Sequence, residues 1–162
     1  MSKSLRRVET ALRDAGVRVE LREFDASTRT AADAAAAVGC DVDQIAKSII
    51  FRGEDTGHIV LFLTAGGNRV SPEKASRVAG QRLGKADAEL VRAETGFAIG
   101  GVAPVGHLVP VPTFLDPRLL DFPQVWGAAG TPRHIFPIAP EVLVRITGAS
   151  LADFTEGQPA SA

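Results

Sequence analysis

Cysteine is nearly absent: Cys40 is the only one among 162 residues. An intramolecular disulfide is therefore impossible, which suits a reducing compartment. Tyrosine is missing and Trp126 is the only tryptophan, so the chain has no aromatic platform on which single-stranded bases could stack. Charge of one sign is missing too. Eighteen basic and 19 acidic residues leave a net charge of −1, so any surface for nucleic acid has to be local. No apolar run approaches the roughly 18 residues of a membrane span. The N-terminus has Glu9 early and no apolar h-region, which argues against a signal peptide and makes the cytoplasm the expected location.

Familiar catalytic signatures are missing as well. There is no GxxxxGK[ST], no strand-GxGxxG-helix and no GxSxG elbow. His58, His107 and His134 stand far apart, without HExxH or CxxC, so neither a metal nor another cofactor is expected. Cys40, beside Gly39 at a helix end, reads as a small buried hydrophobe rather than a nucleophile.

With 45% hydrophobic and 23% charged residues, the chain suits one soluble domain over residues 1–155, followed by a disordered tail at 156–162. Leu5, Val8, Leu12 and Ala15 recur at helical spacing until Gly16. Val17, Val19 and Leu21 alternate with charged residues, which predicts a strand. Thr30 and Asp33 predict a capped, alanine-rich helix ending at Gly39. A short helix over about 43–46 then leads into the apolar strand 48–51, which pairs as a hairpin with strand 59–63. Both strands are apolar nearly throughout, so both faces should be covered. Further helices are expected after Ser71-Pro72, from Asp87 to Glu94, briefly after Asp116-Pro117, and from Pro140 to Arg145. Further strands are expected at 113–115, 124–126 and 134–138. The expected fold class is α/β: a mixed, largely antiparallel sheet with surrounding helices.

Two features carry chemistry. Lys47 stands where the short helix meets the apolar strand, and strand ends open onto crevices in α/β proteins. A lysine there offers a compact charge with three donors; equally, it could cap the helix or point into water. The segment Gly100-Gly101-Val102-Ala103-Pro104-Val105-Gly106-His107 can bring main-chain N–H groups up to an oxygen, with Pro104 stiffening it. It could also be a tight turn that needs glycine for positive φ.

Together the two features resemble the YbaK / prolyl-tRNA synthetase-associated domain family. Three further segments fit the resemblance in order: Thr30-Ala31-Ala32-Asp33 through Gly39 to Ile45-Ala46-Lys47-Ser48; Ala65-Gly66-Gly67-Asn68-Arg69-Val70-Ser71 with Lys74; and Leu115-Asp116-Pro117-Arg118-Leu119-Leu120 with Gly127-Ala128-Ala129-Gly130. The resemblance spans roughly residues 1–155 and is to the free-standing form. It implies trans-editing: hydrolysis of the ester of a mischarged tRNA, of the Cys-tRNA(Pro) or Ala-tRNA(Pro) type, with no cofactor. Lys47 matches the family's motif lysine, and Gly100, Gly101, Val102, Ala103 and Pro104 its GxxxP loop, extended by Gly106 and His107. His134 is the matching candidate for a late catalytic histidine. Thr30, Ile45, Ser48, Gly106 and His107 are the expected substrate contacts, with a pocket lined near Phe24, Ile45, Val102 and Phe136. The implied partners are mischarged tRNA and, as a candidate, prolyl-tRNA synthetase, without a membrane; monomer and homodimer both stay open. Six basic residues (Arg69, Lys74, Arg77, Arg82, Lys85, Arg92) against Glu73, Asp87 and Glu89 give a local +3. In that stretch Arg69, Lys74, Arg77 and Lys85 are the candidate tRNA contacts. The alternatives are a non-catalytic module of the same fold that binds aminoacyl-tRNA or a synthetase, and a hydrolase of some other aminoacyl ester.

Overall fold

The computed structural model describes residues 2–24 and 30–157. The chain order is α1 (Lys3–Asp14), β1 (Arg22–Glu23), α2 (Ala31–Val38), a 3-10 turn (Val42–Gln44), β2 (Ile45–Gly53), β3 (Ile59–Ala65), α3 (Pro72–Ala79), β4 (Leu83–Lys85), α4 (Ala88–Thr95), β5 (Thr113–Leu115), a second 3-10 turn (Pro117–Asp121), β6 (Val125–Ala128), β7 (His134–Ile138), α5 (Pro140–Thr147) and β8 (Ser150–Leu151). The strands form one sheet in the order β1-β7-β6-β2-β3-β5-β8, and β4 also pairs with β2. Four pairings are antiparallel, among them the long β2–β3 hairpin; β2–β6, β3–β5 and β5–β8 are parallel. This is the mixed, largely antiparallel sheet with helices around it.

β3 is buried at all seven positions because the sheet is covered on both faces. Leu61, Leu63 and Ala65 pack with Leu5, Val8 and Leu12 of α1, Val91 of α4 and Leu143 of α5. On the other face Val60 and Phe62 meet Ala75 of α3 and Phe154. The Phe62 ring contacts Phe51, Phe114 and Phe154 with centroids 5.7, 5.3 and 4.8 Å away. Burying one such side chain contributes about 1.5–3 kcal/mol. A third cluster joins Ala34 and Ala35 of α2 to Ile45, Trp126 and Ile135.

The helix ends follow the sequence signals. Thr30 and Asp33 form a reciprocal capping box, Ser71 and Asp87 cap α3 and α4, and Gly39, Gly80, Gly96 and Gly148 end their helices in the left-handed region.

Two local expectations fail. Residues 17–21 join no ladder, since β1 is only Arg22–Glu23; the alternation of Val17, Val19 and Leu21 reflects packing on the main core. The short helix before Lys47 is a 3-10 turn that stops at Gln44, where Asp41 and Gln44 close a capping box. Ile45 and Ala46 pair with Trp126 and Gly127 instead, so Lys47 is the third residue of a strand. Of the expected tail, Glu156 donates its N–H to Arg69 O at 2.8 Å, and residues 158–162 lie outside the described ones.

Candidate active site

β2 is paired incompletely on the side away from β3. β6 covers Ile45 and Ala46, β4 covers Phe51 to Gly53, and a seam opens between them. A cavity of about 760 Å³ lies along this seam. Adjacent residues of a strand point to opposite faces, so Lys47 and Ser48 serve different walls.

The Lys47 wall rests on α2 and on the turn after β3. Ala31, Ala32 and Ala34 line it, and their small side chains leave the volume open. Lys47 Nζ donates to Gly66 O at 3.2 Å. A polar network holds that carbonyl. Asp43 Oδ1 accepts from Gly67 N–H at 2.8 Å, while its other oxygen pairs with Arg118 Nε at 3.0 Å. Asp116, 3% exposed, accepts from Ala65 N–H (3.1 Å), Asn68 Nδ2 (2.8 Å) and Arg118 N–H (3.0 Å). A Cβ on Gly66 would collide with the Val42 carbonyl oxygen, so this turn requires that glycine, and one on Gly67 would displace the Asp43 carboxylate. Burial, and then Arg69, pull Lys47 below the usual lysine pKa; Asp116 and Asp43 push it back up.

The opposite wall is the glycine loop. Gly100 and Val102 line the cavity, with Ile99, 57% exposed, also in the lining. Gly100 has φ +93°, which a side chain would strain. Gly101 is held by sterics: a Cβ there would lie 3.1 Å from Thr131 Cα and 3.2 Å from Gly130 O. Val102 and Ala103 are core residues, and the Pro104 ring fits against Gly127, where a Cβ would meet it at 3.5 Å. His107 Nε2 lies 2.8 Å from Ala103 O. Burial, and after it Arg7, lower the His107 pKa, although the Ala103 bond raises it. Neutral His107 therefore donates to Ala103 O and staples the loop.

The structure brings together Lys47, Gly100, Val102, Thr30, Ile45, Ser48 and Lys85 around one cavity. Gly106 and His107 line a second hollow of about 460 Å³, shared with α1 and α5. His134 is not among the lining residues. Its Nδ1 lies 2.6 Å from Thr131 Oγ1 and its Nε2 3.7 Å from Glu23. Phe24 and Phe136 do not reach the cavity: Phe24 joins the α2 cluster and Phe136 packs where Gly127 has no side chain. Of the basic stretch, Lys85 lines the cavity, Arg69 lies near enough to Lys47 to lower its pKa, Lys74 pairs with Asp153 at 3.2 Å, and Arg77 is exposed on α3. Sequence reasoning missed Asp43, Asp116 and Arg118 as the supports of Lys47. The available signal was an aspartate and an arginine flanking a proline in an otherwise apolar run.

The fold is that of an aminoacyl-tRNA editing domain. The sequence model of that family, "Aminoacyl-tRNA editing domain", matches residues 25–146, and the chain belongs to the family. It is 30% identical over 140 residues to "Uncharacterized protein YwhH" of Bacillus subtilis, covering 86% of this chain and 88% of that protein. It is 24% identical over 127 residues to the Enterococcus faecalis protein named "Putative Cys-tRNA(Pro)/Cys-tRNA(Cys) deacylase EbsC", covering 78% and 77%. A solved structure described as "a putative trans-editing enzyme for prolyl tRNA synthetase" superposes with a TM-score of 0.90 at 51% identity, over 97% of this chain and 99% of that one. Among the described residues, no helix is long and apolar enough to cross a membrane, and no group of three or more His, Cys, Asp or Glu could hold a metal ion.

Proposed function

We propose that this chain is a trans-acting aminoacyl-tRNA deacylase that hydrolyses the ester between a small amino acid and the terminal ribose of a mischarged tRNA, of the Cys-tRNA(Pro) or Ala-tRNA(Pro) type. The observation that carries the proposal is the pairing of Lys47 with the Gly100–Val102 segment on opposite walls of one seam. Attack on the ester carbonyl builds negative charge on its oxygen. The loop N–H groups that would stabilise it are those of Gly100 and Val102, each worth about 3 kcal/mol when well aimed; the Gly101 N–H already donates to Ala98 O at 3.0 Å. Lys47 supplies the positive charge that holds the terminal phosphate or the carbonyl.

The described lining contains no carboxylate, histidine or cysteine, and the Ser48 hydroxyl has no partner that could act as its base. The nucleophile is therefore water or a group of the substrate itself, such as a ribose hydroxyl or a side-chain thiol, and the protein contributes positioning and electrostatics. Arg69 and Lys85 take the tRNA phosphates near the cavity, and Arg77, exposed on α3, those farther along the tRNA. Rising salt should then weaken binding in proportion to the phosphates contacted.

The test is a panel of mischarged tRNAs in single-turnover deacylation, with Lys47→Ala as control. Hydrolysis of Cys-tRNA(Pro) or Ala-tRNA(Pro) that vanishes in Lys47→Ala supports the assignment; unchanged hydrolysis in the variant sinks it.

A further inference from the structure

The seam leaves main-chain groups of β2 facing the cavity. Gly53 donates its N–H to His58 O at 2.9 Å across the hairpin. In an antiparallel pair such bonds recur at every second residue, so the odd-numbered residues of β2 bond to β3 and the even-numbered ones turn their N–H and C=O away. Glu54 agrees, donating to Arg82 O beside β4 at 2.8 Å. Residues 47–50 have no strand partner on that side among the described residues. Ser48 N–H, Ser48 C=O and Ile50 N–H therefore open into the seam. Groups of this kind are seldom left unpaired when water is excluded. The Ser48 hydroxyl adds a fourth polar group, buried and without a hydrogen-bond partner among the described residues.

The charges nearby limit what can bind. The two charged residues of the described lining are Lys47 and Lys85, both cationic. An amine entering this cavity meets no carboxylate; the acceptors open to it at Ser48 are the main-chain oxygen and the unpartnered hydroxyl, which the Ser48→Ala variant tells apart. An amino acid laid beside β2 reaches Ser48 C=O through its α-amine in either direction. Its carbonyl then accepts from Ser48 N–H if it runs antiparallel, or from Ile50 N–H if parallel.

We infer that the bare edge of β2 at Ser48–Ile50 holds the α-amino group of the aminoacyl ester through the Ser48 carbonyl, the amino acid standing where the sheet lacks a strand. This inference rests on the deacylase reading and adds a recognition element that Lys47 and the glycine loop do not supply. The carbonyl oxygen keeps a second lone pair for the loop, so both contacts coexist.

The test compares two esters of the same tRNA(Pro) with the unaltered protein: alanyl, and propionyl, which keeps the carbon skeleton and lacks the nitrogen. Each rate is divided by uncatalysed hydrolysis of the same ester. The expected result is about a tenfold preference in kcat/KM for the alanyl ester, the worth of one such hydrogen bond. In Ser48→Ala, which keeps the main-chain acceptor, the preference persists. Equal normalised values for the two esters overturn the docking while leaving the deacylase reading standing. Where neither is hydrolysed, the cysteinyl and 3-mercaptopropionyl esters of the same tRNA(Pro) make the identical comparison; hydrolysis of none of the four overturns the deacylase reading, and this inference with it.

Discussion

The two walls of the cavity are rigid for different reasons. On the Lys47 side, order comes from charge and hydrogen bonds: Arg118, Asp43 and Asp116 converge on one turn, and its Gly66 carbonyl receives the ammonium. On the loop side it comes from shape: Val102, Ala103 and Pro104 are buried, Gly101 fits against the main chain of Gly130 and Thr131, and one histidine staples the end. The polar wall holds a charge at a set position and tunes its pKa. The packed wall holds a main-chain loop by shape, which does not vary with pH. Under the proposed deacylase reading, a site that neutralises developing charge gains from having both.

Substitutions can separate the two. The largest effect belongs to Lys47→Ala: about 100-fold or more lost from single-turnover deacylation, the scale of losing one preorganised donor, with the thermal midpoint nearly unchanged because the side chain is only half-buried. Next comes Gly101→Ala. The added methyl presses on backbone rather than on a movable side chain, so about 1–3 kcal/mol of stability is lost in denaturant titration, together with activity. If that variant were as stable as the parent, the packed wall would not depend on shape.

Asp116→Asn comes third. Three donors face this carboxylate, and a carboxamide cannot accept at both positions, so about 1–3 kcal/mol is lost. The pH profile separates this from a purely structural loss. Asp116 raises the Lys47 pKa; without it the ammonium deprotonates at lower pH, and the alkaline limb of activity moves down. Arg69→Ala acts in reverse: its charge lowers the Lys47 pKa, so the limb moves up, by less than the full effect of burial. The smallest effect is His107→Ala, about 1 kcal/mol for one hydrogen bond, restored by His107→Gln. The parent has a further signature. The folded His107 pKa lies below its ordinary value of 6.5, so stability is full above that value and declines as pH falls through the folded pKa. His107→Gln lacks that part of the slope.

Much of the fold was legible in the sequence where local chemistry decides it. The Thr30–Asp33 box, Ser71-Pro72, Asp87 and the terminal glycines mark helix ends that the structure keeps. The apolar runs at 48–51 and 59–63 mark the central hairpin, whose strands reach further, over Ile45–Gly53 and Ile59–Ala65. The seam was not legible, because it depends on where β6 and β4 stop along β2. Leu83–Lys85 is too short and too polar to announce a strand; it is one because β2 offers an edge there. The supports of Lys47 were equally hidden, since Asp43, Asp116 and the Gly66 turn meet only after three distant segments fold together. The alternation at 17–21 misled because packing on a core and pairing in a ladder leave the same pattern.

That Lys47 and Ser48 are consecutive yet serve opposite walls makes the spacing along β2 a matter of parity. Inserting one residue between Gln44 and Lys47 would carry the ammonium to the glycine-loop face and the hydroxyl to the α2 face, abolishing the site with every side chain still present. A two-residue change would preserve the faces but move the charge about 6.8 Å along the strand, away from Gly66. Length variation is cheap only past the far end of the strand, in the exposed turn at 54–58, where neither wall depends on the count.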